Sequence, residues 1–195
     1  TLKPTDIMDV VLADPNDNTF TKIFVGGKAN WIKLKLGMEK AAAFLETHRY
    51  AYLVGGSMGF TKMEGTTVNI KDKTAYSALS YMQDSMVVNG KGWNAQSGMT
   101  LEKPIKAGGI MMHKLLGRQK DSKGQMINSE WVPALTKALL MGEDISADAL
   151  GNTANPDKIG NPDNLKFSET MRTLFIGEDS GTHVNNFLWA YNVDT

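Results

Sequence analysis

Apolar and polar positions alternate in short runs along this chain, and turn-forming clusters separate the runs. Residues 7–12 form one such run, and Asp14-Pro15-Asn16-Asp17-Asn18 follows as a turn cluster. Residues 20–25 read as the returning strand, stopped by Gly26-Gly27. Residues 31–36 set Trp31, Lys33 and Lys35 against Ile32, Leu34 and Leu36, the period of two expected of a half-buried strand. Residues 38–45 break the alternation: Ala41-Ala42-Ala43, flanked by Glu39 and Glu46, predicts a short helix. Further on, residues 109–116 predict a strand. Residues 131–141 predict a short helix stopped by Gly142, with Pro133 early, where a helix tolerates it. Together these elements predict an all-β fold with short helices.

A longer-range pattern is superimposed on these runs. Residues 63–80 align with residues 162–179 without a gap. Each segment has an acid, a short strand, a polar turn and a second strand. Glu64 matches Asp163, Val68 matches Phe167, Thr74 matches Thr173, and Tyr76 matches Phe175. Two blades of a β-propeller give this kind of recurrence. Two unrelated hairpins of a sandwich would share the shape, but the acid directly before each first strand favours the repeat. Between the hairpins lie a polar loop over residues 90–98 around Trp93 and a charged, exposed stretch over residues 117–124. The turn signals Asn155-Pro156-Asp157 and Asn161-Pro162-Asp163 follow. This stretch is expected to hold the rest of one blade plus an inserted excursion. Residues 1–195 are expected to form one partial β-propeller domain, truncated at both ends. The chain begins without methionine, and its apolar segment at residues 187–193 runs into Asp194-Thr195 with no return strand.

Charge narrows the partners. Lysine plus arginine number 21 and aspartate plus glutamate 21, so the formal charge is zero. Nucleic-acid binders normally carry a basic excess or stripe, so no nucleic-acid partner is expected. No polybasic run suits an anionic membrane. No apolar stretch approaches the roughly 20 residues that cross a bilayer, so no membrane span is expected. The chain has no cysteine, which removes disulfides, thiolate ligands and a cysteine nucleophile. Thr1-Leu2-Lys3-Pro4 shows no signal-peptide n-region or h-region.

Candidate chemistry concentrates at the hairpin mouths. In a propeller the innermost strands line the central channel, and an acid at the entrance of such a strand faces the funnel. Several blades each supplying one oxygen ligand would make a site for calcium, and iron(III) accepts carboxylates as well. Glu64, Asp163, Glu178 and Asp179 fit this pattern as metal ligands. Glu178 and Asp179 are adjacent at a strand end, and a solvated pair reads equally well. His183 follows that pair and could contact a phosphate or a metal, and Asn164 is a candidate substrate contact. Asn185 and Asn186 could add carbonyl ligands, whereas Asn161 reads as turn geometry. His48 and His113 are assigned no role, and Met58, Met63, Met82 and Met86 are expected to fill the core. There is no Gly-x-Ser-x-Gly elbow and no His-Glu-x-x-His motif, so no catalytic residue is identified. Gly55-Gly56-Ser57-Met58-Gly59 lacks the P-loop lysine and reads as a loop between blades.

Several segments carry a family resemblance. Met38-Glu39-Lys40-Ala41-Ala42-Ala43-Phe44-Leu45-Glu46, Arg49-Tyr50-Ala51 and Thr61-Lys62-Met63-Glu64-Gly65 resemble the PhoX-type alkaline phosphatases. Asn161-Pro162-Asp163-Asn164-Leu165-Lys166-Phe167 and Ile176-Gly177-Glu178-Asp179-Ser180-Gly181-Thr182-His183 resemble a later blade of the same family. The resemblance implies a six-bladed propeller, of which this chain would supply about half, exported to the periplasm or beyond. It implies hydrolysis of a small-molecule phosphomonoester at a cluster of iron and calcium ions. Glu64 matches a ligand glutamate of that family, and Asp163 and Glu178 fall in motifs that approach the cluster. The family's cysteine ligand to iron has no counterpart here, so this chain by itself is expected to be inactive. Calcium-dependent lactonase-like propellers also carry segments like Pro162-Asp163-Asn164-Leu165, and a non-catalytic binding propeller is the third reading.

Overall fold

The computed structural model describes residues 2–25, 28–56, 59–93, 98, 100–121 and 123–195. The Gly26-Gly27 stop, Ser57, Met58 and residues 94–97 of the loop around Trp93 lie outside the described residues. The chain is mostly β, with three antiparallel sheets and short helices.

The first sheet follows the alternation seen in the sequence. A helical turn, α1 (Pro4–Ile7), leads into β1 (Met8–Val11). β2 (Thr21–Val25) and β3 (Lys28–Leu34) complete the sheet, with β3 in the middle. α2 (Glu39–Leu45) forms where the alanine run predicts a helix, and α3 (Thr47–Leu53) follows directly. Ile7, Met8, Ile23, Ile32 and Ala42 make the core of this unit. Leu36 lies beyond β3 and is exposed, so the alternating run ends two residues earlier than its pattern suggests.

The second sheet is a four-stranded meander, β4 (Met63–Asn69), β5 (Thr74–Leu79), β6 (Gly109–Leu116) and β7 (Val132–Met141). The last strand corrects an expectation, because residues 132–141 are extended rather than helical. The Ala-Leu-Lys composition favours a helix locally. Antiparallel pairing with β6 along the whole segment overrides that preference. Pro133 sits opposite Leu115, next to a register shift, on the sheet's outer strand, where its missing N–H breaks no ladder. Gly142 does not cap a helix. A Cβ there would lie 2.6 Å from both the Ala107 Cβ and the Ile159 carbonyl oxygen, so only glycine fits.

The third sheet is β8 (Pro162–Ser168), β9 (Thr173–Glu178) and β10 (Leu188–Asn192). Its first hairpin repeats the β4–β5 hairpin in detail. Met63 pairs with Leu79 and Thr66 with Ser77, while Pro162 pairs with Glu178 and Leu165 with Ile176, so the same bulge interrupts both ladders at the same place. Lys62 and Asn161, directly before the two first strands, adopt left-handed backbones at φ 40° and 46°. Lys73 and Arg172, in the two turns, do the same at 47° and 52°. The Ser80 amide donates to the Lys62 carbonyl at 3.0 Å, and the Asp179 amide donates to the Asn161 carbonyl at 3.2 Å. Even the turn hydroxyls agree: Thr74 Oγ1 donates to the Asp72 carbonyl and Thr173 Oγ1 to the Met171 carbonyl. β10 stands on β9 as β6 stands on β5, with Leu115 N on the Lys73 carbonyl and Val193 N on the Arg172 carbonyl.

β4 and β8, the first strands of their sheets, pack against each other. The apolar core between these sheets comprises Tyr76, Ala78, Ile110, Ile159, Phe167, Leu174 and Ile176. Leu79, Met82, Met86 and Met111 form a second cluster, as expected for Met82 and Met86, whereas Met63 is half exposed. At the turn end, Arg172 ties the seam. Its guanidinium bonds the Asp72 carboxylate, Asp194 at 3.0 Å and Asn69 Oδ1 at 3.3 Å.

The hydrogen bonds from Arg172 hold the Asp72 and Asp194 carboxyls below the ordinary aspartate value of 3.8. A carboxyl lowered on folding stabilises the fold above its unfolded value and loses that contribution as pH falls through the folded one. Stability is therefore expected to drop with acid from about pH 4.5 downward. Arg172→Met is expected to lower stability at neutral pH and flatten the acid limb, as read from urea midpoints across pH. An unchanged acid limb would show that the arginine cluster does not set it.

Candidate functional site

The matched bulges decide where the first pair of acids goes. A β-bulge re-aims the side chains at its extra residue. Here the bulged residues are Glu64-Gly65 in β4 and Asp163-Asn164 in β8. Gly65 lets the strands close up: a Cβ on it would overlap the Asp163 carbonyl oxygen and lie 2.7 Å from the Leu165 amide nitrogen. Glu64 and Asp163 thus stand at the same end of their sheets, on strands in backbone contact. Lys62 directly precedes β4 and feels the charges of both. It is ion-paired with Glu64, and its ammonium lies 6.0 Å from the centre of the Tyr81 ring. The hydrogen bond to Glu64, with the charges of Glu64 and Asp163, holds the Lys62 ammonium above the usual lysine value. Asn164 is exposed at the second bulge.

The second pair of acids separates. Glu178 is buried, and four donors reach its carboxylate. Gly160 N at 2.8 Å and Trp189 Nε1 at 2.7 Å donate to Oε1. Phe187 N at 3.0 Å and His183 Nδ1 at 2.9 Å engage Oε2. A carboxylate has about four lone-pair sites, so none is left for a cation. Glu178, expected as a metal ligand, is held in this arrangement by protein donors on both oxygens. His183 is fixed with it. Its Nε2 lies 3.2 Å from the Asn155 carbonyl oxygen, and its ring lies against Gly160 and edge-on to Phe187. Both ring nitrogens of His183, expected to contact a phosphate or a metal, are engaged by protein groups here.

Asp179, one residue further, is exposed and occupies the position equivalent to Ser80. Its neighbour Asn161 is more than a turn residue. Its Nδ2 donates to the Ser80 carbonyl at 2.8 Å and the Lys106 carbonyl at 2.7 Å. Its Oδ1 accepts from Ser180 Oγ, the Gly181 amide and Thr182 Oγ1. Asn161 thereby joins the two sheets at the mouth. Among the other polar candidates, the Asn186 Oδ1 accepts from the Ser180 amide at 2.8 Å. His113 bridges Thr136 and Ser77 within the second sheet, and burial lowers its value.

Calcium takes six to eight oxygen ligands. Glu64 and Asp163 supply two carboxylates toward such a site, and among the described residues no group of three or more histidine or acidic side chains could hold a metal ion. Toward the iron–calcium cluster implied by the resemblance, the described residues bring Glu64 and Asp163 together at one end of adjoining strands. What the sequence reading missed is a set of donors beside the acids: Lys62, Ser80, Tyr81, Gln83 and Lys106 line one depression with Asp179. Extending the hairpin alignment by one residue at each end would have found Lys62 opposite Asn161. Lys106 comes from the loop before β6 and carries no such signal. Comparison of the chain with known protein families, with curated proteins and with solved structures finds no match in any of the three.

Proposed function

We propose that the second and third sheets are consecutive blades of a β-propeller that hydrolyses phosphomonoesters. The single observation that carries this reading is the matched pair of bulged acids, Glu64 and Asp163, on adjoining first strands. Other support comes from the four-stranded meander of β4 to β7, which has the strand order of a blade. Its outer strand is followed in sequence by β8, which packs on the meander's first strand. In this reading Glu64 and Asp163 are two of the oxygen ligands of a calcium ion, and further blades supply the rest. A bound cation would orient the phosphate and neutralise charge on it. Lys62 holds Glu64 in place when the cation is absent.

Glu64→Gln keeps the shape and removes one charge. Calcium content of the purified protein is expected to fall in this variant while the circular dichroism spectrum is preserved. p-Nitrophenyl phosphate hydrolysis by a longer chain containing this segment is expected to fall with it. Unchanged calcium content in Glu64→Gln would sink the ligand assignment, and lactone turnover without phosphatase activity would sink the substrate class.

A further inference from the structure

We infer that the open edge of β10 takes up one extended segment of a partner polypeptide, which adds a fourth strand to the third sheet. The repeat carries the argument. β10 stands on β9 as β6 stands on β5, so Leu188 and Ala190 are the counterparts of Ile110 and Met112. Ile110 and Met112 pair with Leu140 and Lys137 of β7. β10, by contrast, is the end strand of its sheet. The Phe187 carbonyl and the Val193 amide bond toward β9, and alternation along an antiparallel ladder then turns the amide and carbonyl groups of Leu188 and Ala190 outward. Among the described residues no strand meets them there. The Asn192 carbonyl, next along the edge, accepts from Thr195 Oγ1 at 3.2 Å.

The edge is unguarded. Sheet edges are commonly blunted by lysine, proline or a bulge. β7, the outer strand of the second sheet, has Pro133, Lys137 and two register shifts. β10 reads Leu-Trp-Ala-Tyr-Asn, with none of these, and its register against β9 is unbroken. Beside the edge runs a groove of about 300 Å³ whose apolar lining is Leu140, Met141, Ile159, Trp189 and Tyr191. Asp157 and Lys158 also line it, and Lys158 is held by Glu143 at 2.7 Å. The groove continues the core that the second and third sheets share, to which Leu140, Ile159, Trp189 and Tyr191 also belong. An added strand would bond Ala190 through the residue opposite it. The two neighbours of that residue, opposite Trp189 and Tyr191, would point into the groove. The occupant is therefore a segment with apolar side chains two residues apart. A second copy of β10 does not fit. Antiparallel two-fold pairing would put both meanders on the same face of the joined sheet, so each β7, which borders the groove beyond β10, would run into the other meander. The inference does not rest on the phosphomonoester reading.

The test adds a blocked peptide, Lys-Thr-Val-Thr-Val-Thr-Lys, to residues 1–195 and follows amide hydrogen exchange by NMR. Its valines stand two residues apart, and its lysines keep it soluble. Saturable slowing of exchange at the Leu188 and Ala190 amides is expected, with chemical-shift changes at Trp189 and Tyr191. A second peptide, with proline in place of the central threonine, lacks the N–H that meets the Ala190 carbonyl. It is expected to bind about tenfold more weakly, the loss of one strand hydrogen bond. Ala190→Pro removes the edge amide at a position where an outer strand tolerates proline, and it is expected to weaken binding of the first peptide by a similar factor. Exchange at Leu188 and Ala190 that stays unchanged at every peptide concentration overturns the inference. Equal affinity for the two peptides overturns it as well, because apolar contact alone would then explain binding. Sedimentation that shows a dimer of residues 1–195, lost in Ala190→Pro, would also overturn it and give the edge to a second copy.

Discussion

Glu178→Gln is expected to lower stability by about 3 kcal/mol, the cost of leaving buried donors unpaired around a lost charge. Four donors converge on this carboxylate, from Gly160, Phe187, Trp189 and His183. Glutamine has the same shape, but one of its two terminal groups is itself a donor. With the amide nitrogen toward Gly160 and Trp189, both of those donors lose their acceptor; turned the other way, Phe187 N loses its acceptor, while His183 accepts through Nδ1 with its proton on Nε2 toward the Asn155 carbonyl. Trp189 and Phe187 belong to β10 and the segment leading into it, and Gly160 belongs to the turn before β8, so the damage spreads across the third sheet. A domain of this size loses about 2–4 °C per kcal/mol, so the melting temperature is expected to fall by about 10 °C. Thermal denaturation measures it directly. If Glu178→Gln instead kept its melting temperature and lost bound metal, Glu178 would be a ligand and the structural assignment would be wrong.

Gly65→Ala is expected to be nearly as damaging, for a steric reason. The added Cβ would overlap the Asp163 carbonyl oxygen, and the Leu165 nitrogen and Asn164 Cα would stand 2.7 and 3.1 Å away. All three are backbone atoms, so no side chain can rotate out of the way. The strands β4 and β8 must separate, and overpacking of this kind costs about 3 kcal/mol at the upper end of its range. Separation also moves Glu64 away from Asp163, so calcium content is expected to fall together with the urea midpoint. Gly177→Ala is the control. It lies at the equivalent of Ala78, and its Cβ would meet Asn164 Cβ at an ordinary 3.7 Å, so its effect is expected to stay within about 0.5 kcal/mol. Equal effects at the two glycines would show that the seam between the sheets is not the reason.

Much of the local structure was legible without coordinates. Period-two alternation marked β3, the alanine run marked α2, and the gapless match of residues 63–80 to 162–179 marked two hairpins, whose shared bulge only the ladders reveal. These features are written locally, in which residues face the core and which ones tolerate a turn. β7 was not legible. Its residues prefer a helix in isolation, and pairing with β6 makes them a strand.

The candidate site divides in the same way. The identities of Glu64, Asp163, Glu178 and Asp179 were evident, and so was their position at the hairpin mouths. Their fates were not. Glu178 and Asp179 are neighbours, yet alternation along β9 turns the first into the core against Trp189 and His183 and leaves the second in solvent at the depression. Ser80 and Lys106 showed no motif, because they come from separate loops and meet only in the folded chain. Sequence alone determined that two acid-bearing hairpins of one pattern would form, since pattern and turn chemistry act over a few residues. Only the tertiary structure decided which acids stay open and which donors join them. That outcome depends on how strands distant in sequence pack, and on which lone pairs the packing fills.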